Sequence, residues 1–452
     1  MCIKCNLEQT NVGLKNMMTT AGFWQKTLKK TALLVVLGIL AAPAQAAYTA
    51  NFLRAQDVGF LQLFDANNRS FMTGALLEHG FSSSFGYDGE GNQVPVMQMY
   101  ATKQSAQAML SDTVITFPQN EDPEQFFVNT VQQPYGDDWG SFSVAGKYQE
   151  TSVTVWARGV LSTPETLPGK FSLAGYLPVK SIRVEGVDWT DLSDDSALGV
   201  EERQVGFTNR LKDFVKEVGS LDLNNWSKIG QGDAVLQLEW QHEFKQELDL
   251  VQHVKLEAAL GILIPTARML DGDIDQIFSV PLGTNGAWGI PVKGSLEVQV
   301  HERASAGVCV DALWLADVTK PRRLKTNLNQ TEYLLLSKGR ARMQHARTWR
   351  FSLFSRIHLP IEGLWASVSY HFAKTGDHTL VPEDNDFSSP VVNSAESLKE
   401  SSSHDILCRL HFNRAQENTF TAPGVSFFMK FPVGGCRSVR NVTFGGECMF
   451  AF

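Results

Sequence analysis

The sequence predicts an all-β fold: a transmembrane antiparallel up-and-down barrel of about twelve strands, with long loops at one end. Three observations predict it. Segments in which apolar and polar residues alternate recur along the chain, and a period of two is that of a strand. The connections between these segments are long and short in turn. The chain also stops inside such a segment, NVTFGGECMFAF, on Phe452 and without a polar tail.

The alternating segments lie near 71–86, 144–161, 170–184, 233–245, 253–265, 288–300, 305–316, 348–359, 364–374, 404–414, 424–433 and 441–452. A count of roughly ten to fourteen fits the pattern, and bacterial single-chain barrels take even numbers. The fourth segment places Ala234, Leu236, Leu238, Trp240 and Phe244 on one face, with Val235, Gln237, Glu239, Gln241 and Glu243 on the other. The fifth sets Val254, Leu256, Ala258, Leu260, Ile262 and Ile264 against Lys255, Glu257, Ala259 and Gly261. The eighth sets Trp349, Phe351, Leu353, Ile357 and Leu359 against Arg350, Ser352, Arg356 and His358. In the last, Val442, Phe444, Cys448, Phe450 and Phe452 alternate with a mixed series.

Long connections follow the first, third, fifth, seventh and ninth segments. Short ones such as HERA and PIEG follow the second, fourth, sixth and eighth. The link after the tenth is intermediate and contains Pro423-Gly424, and the last pair departs from the rule with a short loop at Gly434-Gly435-Cys436. A soluble sandwich has no reason to alternate its loops in this way. No stretch after residue 46 is long and apolar enough for a spanning helix. Backbone polar groups have no water partner in hydrocarbon, so a chain without spanning helices crosses only as a closed barrel.

The other end of the chain reads as an export signal. Lys26, Lys29 and Lys30 form a basic region, TALLVVLGILAAP (31–43) a short apolar core, and Ala44-Gln45-Ala46 a small-residue cleavage site. The expected organisation is a signal peptide over 1–46 (its start at Met1, Met17 or Met18), then a segment over 47–70. That segment is either a periplasmic extension or an inward plug. The barrel occupies 71–452. No Cys stands at the cleavage point, which argues against a lipoprotein.

The signal, the strand pattern, the loop alternation and the terminal Phe452 together resemble bacterial outer-membrane β-barrel proteins of porin-like type, over nearly all of the mature chain. They single out no family within that class. The resemblance implies the outer membrane of a Gram-negative cell envelope, with lipid around the wall. It also implies recognition of the C-terminal strand by the barrel assembly machinery, periplasmic termini and extracellular long loops. For the last twelve residues taken alone, a buried strand of a soluble sandwich is the alternative.

Removing the five Lys and one Glu of residues 1–46 takes the formal net charge from −8 to −12. That is the wrong sign for general nucleic-acid binding. Cys309, Cys408, Cys436 and Cys448 show neither CxxC nor paired Cys/His spacing, so no metal site and no disulfide framework is expected. No cofactor motif is present.

If the apolar series faces lipid, the polar series lines a lumen. The expected pore lining is Glu239, Glu243, Glu257, Glu297 and Asp311 on segments four to seven, interrupted by Lys255 and Lys293. Arg350, Arg356, His358, His371, Arg409, His411 and Lys430 follow on segments eight to eleven, with no carboxylate on their faces. Two arcs of opposite sign across a water-filled pore would orient polar solutes. The same residues would equally form a salt-bridged plug. The expected function is porin-like passage of small hydrophilic solutes, with anions favoured by the basic arc. Arg356 and Arg409 carry that preference through their planar donor forks. The alternative is a plugged barrel acting as surface receptor or adhesin, or, less favoured, an outer-membrane hydrolase.

Trp288, Trp314 and Trp349 fall at the expected external rim, and Phe244, Phe450 and Phe452 near the periplasmic one, as an aromatic girdle. An enzyme is not expected. His358, His371 and His411 share faces with Ser352, Ser367 and Ser369, but no triad is indicated and no GxSxG is present. Asp271, Asp273 and Asp275 form an acidic loop without the rest of a calcium-binding pattern. Phe207, Leu211, Phe214, Val215 and Val218 are spaced as one helical face, and SAESLKESSSHD (394–405) reads as a solvated loop.

Overall fold

A computed structural model describes residues 70–105, 108–109, 141–161, 168–192, 213, 215–248, 251–269, 275–413 and 422–452. The expected signal peptide over 1–46, the segment up to residue 69, and Phe207, Leu211, Phe214, Asp271 and Asp273 lie outside the described residues.

Twelve strands close into one antiparallel ring. They are β1 (Phe71–Gly80), β2 (Ser141–Leu161), β3 (Lys170–Asp191), β4 (Ala234–Leu248), β5 (Val251–Ile264) and β6 (Gly289–His301). The second half is β7 (Ala304–Leu315), β8 (Thr348–His358), β9 (Leu364–Thr375), β10 (Ser401–Asn413), β11 (Ala422–Cys436) and β12 (Thr443–Ala451). Each strand pairs with its sequence neighbours. The ring closes where β1 meets β12, in register from Met72 opposite Ala451 to Gly80 opposite Thr443. The last residue extends that seam, since Phe452 N–H donates to Phe71 O at 2.8 Å and Phe71 N–H to Phe452 O at 3.3 Å. The Phe71 and Phe452 rings are 6.2 Å apart.

The alternation sorts the two faces as the residue types require. Leu77, Val155, Leu173, Leu236, Leu260, Ile290, Val310, Val368, Phe427 and Phe444 are exposed on the outside. Arg158, Glu239, Lys293, Asp311, Arg350, Arg409 and Glu447 are buried on the inside. An apolar belt of this extent would aggregate in water. Around a closed ring with no free edge it is the lipid face of a membrane-spanning barrel.

The described strands differ from the expected ones at four ends. β1 stops at Gly80 rather than running to 86, and β3 continues to Asp191 rather than stopping at 184. β10 starts at Ser401, inside the segment read as a solvated loop. β11 runs through Gly434-Gly435-Cys436, which reads as a turn in the sequence. Those glycines stay extended because β10 supplies partners: Ser402 faces Cys436, Ser403 faces Gly435 and His404 faces Gly434, past an irregularity at His404/Asp405. The turn moves on to Arg437, at φ 47°. Among the described residues Cys309, Cys408 and Cys448 are in no disulfide.

At the long-loop end the wall continues above the ring. β2 and β3, of 21 and 22 residues, outreach their neighbours as a hairpin, and Trp226–Gln231 pairs along β3. Against its inner face an apolar core collects Phe142, Val144, Tyr148, Ile182 and Val184 with the loop residues Val96, Met97, Val215, Leu221 and Phe278. Val215 and Val218 of the expected helical face both pack here. Val318–Arg323, Lys338–Gln344 and Thr379–Pro382 form a three-stranded flap continuing β7, β8 and β9, with its own core of Leu324, Ala341, Leu380, Phe387 and Leu398.

Asp233, just before β4, ties the β5–β6 loop to the ring at two points. It accepts Ala267 N–H at 3.0 Å and Thr284 Oγ1–H at 2.7 Å, together with Thr284 N–H. It is 1% exposed. Asp233→Ala leaves three buried donors without this acceptor. Losing hydrogen bonds to a charged group should cost ~1.5–3 kcal/mol locally. Faster amide exchange over 266–287, with unchanged exchange in β4–β6, is the expected result.

Candidate functional site: the charged interior of the barrel

Twelve strands enclose more space than the eight whose side chains fill a small barrel. What occupies this space follows from the inner series. On β4 it is Val235, Gln237, Glu239, Gln241 and Glu243, and on β8 Thr348, Arg350, Ser352, Phe354, Arg356 and His358. The rings of Trp156 and Phe428 lie flat along the wall over glycines of neighbouring strands. A Cβ on Gly74 would stand 2.8 Å from Trp156, and one on Gly445 2.2 Å from Phe428.

The inner charges meet in pairs. Arg158 grips Glu239 at 2.7 and 2.9 Å, and Ser172 and Tyr176 donate to the same carboxylate. Glu257 lies between Lys255 at 3.5 Å and Lys293 at 3.7 Å and accepts from Ser295. Arg356 reaches Glu297 at 3.4 Å, while Ser305 donates to that carboxylate. Arg350 donates to Asp311 at 2.9 Å. Arg409 lies 3.3 Å from Glu447, which also accepts Trp156 Nε1–H at 3.1 Å. Glu243 meets His253 at 2.6 Å. Lys430 is buried on the inner face of β11.

This corrects the expected charge map in two respects. The acidic and basic arcs are not held apart. They abut at β7–β8, where Asp311 and Arg350 are direct cross-strand partners. The basic arc also contains a carboxylate, since Asp405 shares the inner series of β10 with Arg409 and His411 and is buried. Asp405 falls within the alternating segment 404–414, in step with Arg409 and His411, so the sequence pattern itself contradicts a basic arc without a carboxylate. Arg158 and Glu447 were missed as partners, although both stand in alternating segments.

The histidines differ in setting. His371 lies between Ser352 Oγ at 2.8 Å and Ser369 Oγ at 2.7 Å. A Ser–His–acid relay needs one ring nitrogen for its carboxylate, and here serine hydroxyls sit at both. His411 stacks on Trp365 at 4.6 Å. His358, at the short-turn rim, is exposed and opposite Trp365. Among the described residues no His/Cys/Asp/Glu group is arranged to hold a metal.

At the long-loop rim Trp288 and Trp349 are exposed, and the Trp314 and Trp349 rings meet edge-on at 6.0 Å. Phe244, Phe450 and Phe452 are exposed toward the short-turn rim. Where β8 and β9 pass into the flap, the His345 and His378 rings meet at 5.6 Å. Burial, then His378, Arg322 and Lys320, hold His345 down at about 3. Burial and Arg322 hold His378 at about 4, against a smaller opposing pull from Asp377. His378 Nδ1 accepts Ala346 N–H at 3.1 Å, which requires that nitrogen unprotonated.

Two predictions follow from these contacts. Asp311→Asn removes the carboxylate that faces the buried Arg350 guanidinium and should destabilise the detergent-solubilised barrel by about 3–5 kcal/mol, read from the denaturant midpoint. Asp311→Asn with Arg350→Met should recover part of that loss. For the flap, both folded-state pKa values lie below the ordinary 6.5. Its full stability is therefore present above that value and is lost as pH falls through the window toward 4 and 3. Amide exchange over 338–344 and 379–382 should accelerate across that window, and His345→Phe with His378→Phe should flatten the dependence.

The chain matches no family model and no curated protein. Among solved structures it is similar to an outer-membrane channel from Pseudomonas putida F1, at 12% identity over 86% of this chain and 98% of that one, TM-score 0.48. A FadL homologue from Pseudomonas aeruginosa is similar at 9% identity, over 91% and 99%, TM-score 0.32. The NanC porin is similar at 8% identity, over 68% and 98%, TM-score 0.28. At these identities and scores the likeness carries nothing about cargo, and the reading of function starts from the barrel's own walls.

Proposed function

We propose that the protein is a channel of the Gram-negative outer membrane that passes small hydrophilic solutes, anions preferentially. The observation that carries this reading is the pairing of an apolar outer belt with a charged inner face in one closed ring. A barrel serving only as an anchor has no need of Arg350, Arg356, Arg409, Lys430 and their carboxylates inside it, because buried ions are costly unless they serve a purpose beyond packing. In this reading residues 1–46 direct export, and the assembly machinery recognises the strand ending at Phe452. The termini lie in the periplasm, the long loops outside, and the Trp and Phe rims at the two lipid interfaces. The inner residues act as a solute path rather than an active site.

The packed loop cores at the long-loop end favour one second reading, a barrel closed at rest whose loop surface receives a ligand. Planar-bilayer conductance of the refolded protein under a salt gradient separates the two. Stepwise ohmic current supports the channel, and its reversal potential reports the ion preferred. Insertion without current supports the closed receptor. In the channel, Arg356→Gln with Arg409→Gln leaves Glu297 and Glu447 without their cations and should shift the reversal potential toward cation preference. An unchanged potential would sink the anion assignment.

A further inference from the structure

We propose that the inner wall carries a discrete oxyanion-binding site on β8, β9 and β10, built from Arg356, Ser367, Arg409 and His411. The site deepens the channel reading and rests on the inner face being a solute path. Arg356 is directly opposite Ser367, and Ser367 directly opposite Arg409. The three stand in one row, with the two arginine Cα atoms about 10 Å apart at two strand spacings. His411 follows Arg409 on the same face and is one row nearer the short-turn rim.

The ion pairs of this row point outward from its centre. Arg356 meets Glu297, which stands on β6, and Arg409 meets Glu447, which stands on β12. Both carboxylates therefore flank the three strands. Between them the inner series of β9 is Trp365, Ser367, Ser369, His371, Ala373 and Thr375, which contains no carboxylate. The inner series of β10 holds one carboxylate, Asp405, opposite His371 and two rows from Ser367, so the row of Arg356, Ser367 and Arg409 itself carries donors and no carboxylate.

Two groups on or beside that row are left over. Ser367 is 4% exposed and His411 1% exposed. The Ser367 hydroxyl and both His411 ring nitrogens have no hydrogen-bond partner among the described residues. An unmet buried polar group is expensive, so such a group is expected where something else supplies the partner. Trp365 forms the floor, with the Arg356 guanidinium 4.7 Å from its ring centre and the His411 ring stacked on it. The rigid forks of two arginines, a hydroxyl and an imidazole N–H suit a group offering two or three oxygens at once, a carboxylate or a phosphate. A single water cannot serve donors on three strands together.

The test uses the refolded full chain in planar bilayers carrying chloride current, titrated with acetate and, separately, with inorganic phosphate. Tryptophan fluorescence of the same protein in detergent is titrated in parallel. A saturable fall in current and a saturable fluorescence change are expected, and the acetate and phosphate arms tell which oxyanion is preferred. Ser367→Ala and His411→Phe should each raise the half-saturation concentration about tenfold, the loss expected for one hydrogen bond to a charged group. Ser355→Ala, on the outer face of β8, should leave it unchanged. Saturable binding in detergent without any bilayer current keeps the site and overturns the channel. Anion-selective current without saturation, and with flat fluorescence, overturns the site and keeps the channel. A half-saturation that Ser367→Ala does not move also overturns the site. Ser367→Ala removes one oxygen only, so the test does not depend on His411→Phe folding.

Discussion

In a hydrocarbon layer a sheet edge exposes N–H and C=O groups to a medium that offers no partner, at several kcal/mol for each. Closure of β1 on β12 is therefore the constraint on which the rest of this protein depends. It shows in the pairing of Phe452 with Phe71. Phe452 extends the ladder and packs on Phe71, so the seam carries paired backbone and an aromatic contact. Closure also accounts for a ring in which each strand but the first and last pairs with its neighbours in sequence. An up-and-down ring satisfies every strand with short links at one end, leaving the other end free to carry long loops.

Once the ring is closed, its interior becomes a place where charges are held away from bulk water. The inner residues respond by pairing. Asp311 with Arg350, Glu239 with Arg158 and Glu447 with Arg409 each match a desolvated ion with an opposite one and further donors. The interior is a network in which most charges are committed to neighbours, and what remains uncommitted is the informative part. The Ser367 and His411 groups stand out for that reason.

The long-loop end follows different physics. There the chain has returned to water, and the β2–β3 hairpin and the flap bury apolar side chains against loops as any soluble domain does. The wall thus changes its rule along its length. At mid-height apolar residues point out and charges in. Above the rim, Phe142, Val144, Ile182 and Val184 point in. The same period of two serves both, and the solvent outside decides which series is apolar.

The sequence by itself determined the number of strands, which series of each faces out, the alternation of loop lengths and the closing role of the last strand. These are local properties: side chains alternate at every residue, and lipid demands one apolar face wherever a strand crosses. Only the tertiary structure decided which charges meet. Arg158 and Glu239 are 81 residues apart, and Trp156 and Glu447 are 291 apart. Their contact depends on stagger between strands and on closure of the ring, neither of which is encoded in a window of a few residues. Strand ends were likewise decided by partners. Gly434 and Gly435 have the composition of a turn, yet the ladder with Ser403 and His404 keeps them extended. Ser401, Ser402 and Ser403, which read as loop, are drawn into the wall by pairing with β9 and β11. Local pattern assigns a residue to a face, but the partner strand decides whether the residue is in the wall at all.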